Sequence, residues 1–179
     1  NKFKLLLKYR ISPFKFLFGG KEKHNAIRRE EFWNGVRAFP GMAEVLMRLR
    51  KGPTVSLGIV THETELDNAE ERLKLFQHFG IPIDFDAIIT DYYNKEATFE
   101  TFIQENHVSY AIFIGDTQFD LDLGKKFGFD TIGVTWGFSS KEELQADHIV
   151  DDPRELLQVI FNRLYAAEQR ELHGDPTPY

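Results

Sequence analysis

The 179-residue chain contains no cysteine, only two methionines, and no aspartate before Asp67. Without cysteine there can be no disulfide and no thiolate-held zinc, which fits a reducing compartment such as the cytoplasm. Also missing is any run near the roughly 18 consecutive apolar residues of a membrane span, and the opening NKFKLLLKYR is too short in apolar length for a secretory signal. Neither a membrane partner nor a targeting segment is expected. The six histidines are scattered and no nucleophile-elbow motif occurs, so Ser-His-Asp catalysis lacks its residues. A formal charge of -6 and a pI near 5.5 argue against a general nucleic-acid binder. Residues 1 to 29 are locally basic, and a solvated helical face is the simplest account of them.

The composition that remains, 42% hydrophobic and 28% charged, suits a single globular core with at most a small appendage. Residues 1–38 carry Phe, Leu and Trp at loose helical spacing, broken by Ser12-Pro13 and Gly19-Gly20, and read as two or three short helices. After Pro40-Gly41, apolar residues at Met42, Val45, Leu46 and Leu49 predict a helix ending near Gly52. VSLGIV at 55–60 has the near-continuous apolar character of a strand buried on both faces. Helices over about 64–79, 97–106 and 120–127 then alternate with strands at 87–90, 110–114 and 131–134. Ser140 to Glu143 fits a capping box, and Asp151-Asp152-Pro153 opens a last helix with a proline in its first turn. Strands separated by helices predict an α/β fold with a parallel sheet covered on both sides. In such sheets, sites lie at the carboxyl ends of the strands.

Three strand ends carry polar residues suited to one chemistry. The strand YAIFI runs into Gly115-Asp116-Thr117-Gln118-Phe119-Asp120, so two carboxylates leave the sheet at that edge. A hard cation such as Mg²⁺ takes oxygen ligands and keeps several waters, so one or two carboxylates suit it. The plainer account has Asp116 capping the next helix and Asp120 on its surface. Thr61, after SLGIV, is a helix cap or a phosphate ligand. Lys95, in DYYNKEATF, is a solvated charge or a counter-charge for a site.

The stretch GDTQFDLDLGKKFGFDTIGVTWGF resembles the fourth motif of the haloacid dehalogenase superfamily, in particular its phosphoglycolate-phosphatase-like members. The resemblance covers roughly residues 36 to 160 and implies a doubly wound, Rossmann-like parallel sheet with a small helical cap. It implies metal binding by Asp116 and Asp120, phosphate binding by Thr61, His62 and Lys95, and catalytic parts for Lys95 and Asp120. The proline that usually follows the family's lysine is replaced by Glu96. Magnesium is the implied cofactor and a small phosphorylated metabolite the implied substrate, with a monomer or homodimer in the cytoplasm. Expected domains are a cap remainder at 1–38, a core at 39–165 and a polar tail at 166–179.

One family element is missing. Its first motif is a strand ending in DxDxT that supplies the nucleophilic aspartate, and this chain has no aspartate in that region. FKFLFGG at 14–20 is the stretch shaped like that strand, with Gly19 in the nucleophile's place, and glycine cannot form an aspartyl phosphate. Two expectations follow. Either the first strand and nucleophile lie upstream of Asn1, or the chain is a catalytically inactive binding or scaffold protein. A phosphomutase or dehalogenase of the same superfamily is a further alternative. Since the first strand sits mid-sheet in this fold, the chain needs some segment to fill that gap.

Overall fold

A computed structural model of the chain describes residues 3–7, 38–52, 55–61, 68–78, 80–81, 85–90 and 94–173. Six strands, β1 (Phe3–Leu7), β2 (Val55–Thr61), β3 (Ala87–Thr90), β4 (Ala111–Gly115), β5 (Asp130–Val134) and β6 (His148–Val150), form one sheet in the order β3-β2-β1-β4-β5-β6. All five pairings are parallel. Five helices accompany them among the described residues: α1 (Met42–Arg50), α2 (Ala69–His78), α3 (Lys95–Glu105), α4 (Gln118–Lys126) and α5 (Pro153–His173). This is the expected doubly wound α/β fold. The strand order reverses direction between β1 and β4, where such sheets open a crevice at their carboxyl edge.

Alternating residues of each strand feed two separate cores. Leu57, Ile59, Ile112, Ile114, Ile132 and Val134 face a core shared with α1, α2 and α5, where Leu46, Leu49, Leu156 and Ile160 are buried. Val60, Ala111 and Phe113 face the other side, where Phe99 of α3 and Leu123 of α4 close the core. Phe99 sits edge-on to Phe113, Phe127 and Phe129, with ring centroids 5.2 to 6.3 Å apart. Truncating a fully enclosed phenylalanine of this kind typically costs about 3–5 kcal/mol. The helix stripe read at Met42, Val45, Leu46 and Leu49 is the buried face of α1.

Three expectations change. Residues 3–7, assigned to the cap, form the central strand instead, with Leu7 in register with both Ile59 and Ile114. The pattern FKLLL is short enough to pass for a helical fragment, but the empty place between β2 and β4 offers two sets of ladder hydrogen bonds. The first-strand assignment to 14–20 therefore yields to 3–7, and residues 14–20 lie outside the described part of the chain. The third change is at the carboxyl end. The core does not stop at 165, because α5 runs on to His173 and Ala167 is buried in the first core. Strand β6 went unread, being three residues at a sheet edge. The remainder of the expected cap, residues 8–37, lies outside the described residues, as does the end of the tail at 174–179.

The caps follow the sequence. Ser140 and Glu143 form a reciprocal capping box on a single 3₁₀ turn at Lys141–Glu143. At α5, Asp152 accepts the Arg154 backbone N–H at 2.7 Å, one of the donors the first helical turn leaves open.

Candidate active site

The carboxyl ends of β2 and β4 and the first turns of α3 and α4 supply four buried polar side chains. Thr61, Lys95, Asp116 and Asp120 are 2%, 2%, 7% and 0% exposed. Ionisable groups this deeply buried require compensation.

Lys95 opens α3, where the helix dipole disfavours a positive charge, so its burial calls for an anion. Asp120 provides one, with Oδ1 3.2 Å from Lys95 Nζ. The other oxygen of Asp120 accepts the Thr117 hydroxyl at 2.5 Å. Thr117 is the residue before α4, yet its side chain does not cap the helix; the hydroxyl is turned to the carboxylate instead. Asp120 is thus engaged at both oxygens, one by the lysine and one by the threonine. Lys95 also lies over the Phe119 ring, 5.0 Å from its centroid, and that ring is 56% exposed. Gly115, last in β4, allows this arrangement, because a β-carbon there would stand 2.6 Å from the β-carbon of Asp120.

Asp116 is built differently. Its Oδ2 accepts the Phe138 backbone N–H at 2.9 Å, and its main-chain oxygen accepts that of Ser139 at 3.1 Å. Its Oδ1 is buried and has no hydrogen-bond partner among the described residues. A buried, unsatisfied carboxylate oxygen is costly, and such groups in folded proteins are explained by water, an ion or function. The helix-capping account of Asp116 does not hold, since Thr117 takes the cap position, and Asp120 is no surface residue.

The four expected site residues that fall within the described chain all reach the same edge of the sheet. Thr61 ends β2, in register with Thr90 of β3. His62 lies outside the described residues. Sequence reasoning missed Thr117 as a partner of Asp120 and Phe138 as the donor to Asp116. Both were present in GDT and TWGF, but nothing in residue order alone shows that a loop 22 residues away folds onto Asp116.

For the expected Mg²⁺, the bare Oδ1 of Asp116 is a fitting oxygen ligand, since the ion takes one or two carboxylates and keeps water in its remaining positions. Among the described residues, no group of three or more His, Asp or Glu gathers into a ready-made metal cage. No helix among them is long and apolar enough to cross a membrane.

A doubly wound parallel sheet with buried carboxylates and a lysine at its carboxyl edge defines an α/β protein of the class whose ligand sites lie at that edge. The profile of the haloacid dehalogenase-like hydrolases matches residues 15–134, and the chain belongs to that family. The match spans Thr61, Lys95, Asp116 and Asp120 and begins after β1. A phosphoglycolate phosphatase from Synechococcus elongatus is 25% identical over 133 residues, covering 70% of this chain and 60% of the relative. Among solved structures, a haloacid dehalogenase-like family hydrolase from Streptococcus pneumoniae superposes with a TM-score of 0.62 at 23% identity, over 76% of this chain and 66% of its own. An L-2-haloacid dehalogenase from Xanthobacter autotrophicus gives a TM-score of 0.58 at 14% identity, over 79% and 68%. These structural likenesses establish the fold. The chain thus spans 60% of its curated relative and 66% of the first of these structures.

Proposed function

We propose that this chain belongs to a Mg²⁺-dependent phosphohydrolase acting on a small phosphorylated metabolite. The observation that carries the reading is the unpartnered, buried Oδ1 of Asp116 beside a buried lysine–aspartate pair. Thr61 and Lys95 bind phosphoryl oxygens, with Lys95 offsetting the negative charge that grows there in the transition state. Asp116 holds the cation. Asp120 orients Lys95, and both its oxygens are engaged, one by that lysine and one by Thr117. When bound, Mg²⁺ supplies charge neutralisation for the phosphoryl group and fixes its orientation.

On this reading the nucleophile is an aspartate, and it is not the residue after the central strand, where Lys8, Tyr9 and Arg10 follow Phe3–Leu7. Its carboxylate oxygen bonds to phosphorus as the bond to the leaving oxygen breaks. Water then cleaves the aspartyl phosphate to inorganic phosphate and restores the carboxylate. Phosphoglycolate, which the name of the Synechococcus relative gives, is one such small phosphorylated metabolite.

A second reading rests on β1. Residues 3–7 already fill the centre of the sheet, and the residues next in sequence are Lys8, Tyr9 and Arg10, none of them a carboxylate. A chain that completes its own sheet in this way supports a phosphate-binding protein without hydrolytic turnover. The two readings part on the product of the whole gene. Its intact mass is measured together with hydrolysis of p-nitrophenyl phosphate in Mg²⁺ and in EDTA. Turnover that EDTA abolishes, in a protein heavier than 20.8 kDa, supports the phosphatase. A folded product of 20.8 kDa that binds phosphate without turnover sinks it.

A further inference from the structure

The segment from Thr135 to Gln145 joins β5 to β6 and meets Asp116 in three ways. The Phe138 N–H donates to Oδ2 at 2.9 Å, and the Ser139 N–H to the main-chain oxygen at 3.1 Å. Gly137 lies so close that a β-carbon there would stand 2.2 Å from the Asp116 β-carbon. This loop therefore decides which carboxylate oxygen is committed and which is left bare.

The loop is in turn fastened at both ends. At its start, the Thr135 N–H donates to the Val150 oxygen at 3.2 Å and the Thr135 hydroxyl to Asp151 at 2.8 Å. At its far end, Gln118 Oε1 accepts the Gln145 N–H at 2.7 Å, while Gln118 Nε2 reaches the Gln145 oxygen at 3.4 Å. The side-chain amide serves both main-chain groups of Gln145, as a neighbouring strand would. The same Nε2 donates to Asp122 at 2.7 Å, one turn along α4, which fixes the orientation of the amide. Gln118 is the first residue of α4 and stands two residues after Asp116, so the anchor of the clamp lies close along the chain to the carboxylate the clamp holds.

We propose that Gln118 is a positioning residue for the cation site: by latching Gln145 to α4 it holds the Phe138 amide on Oδ2 of Asp116 and keeps Oδ1 bare and fixed in direction. Gln118 itself touches neither cation nor phosphate. The inference rests on the reading of Asp116 as a cation ligand. A carboxylate held by an outer partner binds without having to be reoriented, and loss of such partners weakens metal affinity. With the latch gone, the Phe138 amide turns to water and the Asp116 carboxylate rotates to satisfy both its oxygens.

The test compares the full chain with Gln118→Met, which keeps the side-chain length and loses the hydrogen bonds, and with Gln118→Glu, which keeps the acceptor for the Gln145 N–H. Mn²⁺ affinity is read from the electron paramagnetic resonance signal of free Mn²⁺, and amide hydrogen exchange is followed in the metal-free protein. Gln118→Met is expected to bind Mn²⁺ about tenfold more weakly and to exchange the Phe138 amide faster, with the β4 amides unchanged. Gln118→Glu keeps only the bond to the Gln145 N–H and sets a second carboxylate against Asp122, so it is read by exchange alone and is expected to restore Phe138 protection in part. Wild-type Mn²⁺ affinity and wild-type Phe138 exchange in Gln118→Met overturn the proposal, and so does a general acceleration that reaches the β4 amides, which marks a merely structural role. If the wild-type chain binds no Mn²⁺, the cation reading falls and takes this role with it. If wild type and Gln118→Met bind equally well, this role alone falls.

Discussion

The two edges of the sheet handle buried charge in opposite ways. At the amino edge, Asp130 at the start of β5 receives two hydrogen bonds from Arg163 of α5, at 2.8 and 2.5 Å, and a third from the Tyr110 hydroxyl at 2.7 Å. Burial pushes the Asp130 carboxyl up, but these bonds outweigh it and hold its pKa below the ordinary value. The hydrogen bond from Asp130 likewise raises the Arg163 pKa against the effect of burial. Every oxygen there is satisfied, and the cluster fastens the last helix to the sheet. At the carboxyl edge, Asp120 is fully engaged, but Asp116 is left one bond short. The complete cluster is accounted for by the fold alone, whereas the incomplete one, at a cost in stability, is what the proposed cation site rests on.

Asp116→Asn breaks the contrast most sharply. It keeps the acceptor for Phe138 and removes the charge, so phosphatase activity of the whole gene product is expected to fall at least about a hundredfold, as for loss of an electrostatic stabiliser. The melting temperature should stay level or rise, because the orphaned charge is gone. A fall in melting temperature with activity intact would mean that Asp116 belongs with the structural charges. Lys95→Met has the largest effect on stability. It strands a fully buried carboxylate, and urea unfolding should show a loss of about 3–5 kcal/mol. Adding Asp120→Leu to that variant should return much of it, since two apolar residues replace the pair.

At the other edge, Asp130→Ala should cost about 2 kcal/mol through the lost charged hydrogen bonds, with catalytic constants unchanged below the melting transition. The smallest effect is its pH dependence. The folded pKa of Asp130 lies below its ordinary 3.8, so its contribution is complete above that pH and disappears as pH falls through the folded value. The stability gap between wild type and Asp130→Ala should be full at neutral pH and shrink in acid below 3.8. A gap that instead widens in acid would show that the shift runs the other way.

Much of this was legible from residue order. Short continuous apolar runs and period-3.6 patterns located β2 to β5 and α1 to α5 within a few residues, because strands buried on both faces and amphipathic helices leave strong signals. Phe3–Leu7 was not legible as a strand, since five residues with a lysine among them fit a helix fragment equally well. Nor was the length of α5 read, although Arg170 and His173 in its last turn and Gly174 just after it are stop signals; Ala167 is buried in the core within its last two turns. At the site, GDTQFD pointed to carboxylates at a strand end, but the hydrogen-bond partners that set Asp116 and Asp120 apart were invisible. They depend on Lys95 arriving from 25 residues away and on the Phe138 loop from 22.

By itself, then, the sequence determined the elements, the parallel α/β class, the family resemblance and the edge of the sheet where chemistry gathers, because each is written in local spacing. Tertiary structure alone decided that Phe3–Leu7 takes the central place, that Asp120 belongs to Lys95 and Thr117, and that Asp116 keeps one bare oxygen. Those outcomes depend on which distant backbone groups reach which side chains in a buried space, and no spacing along the chain records that.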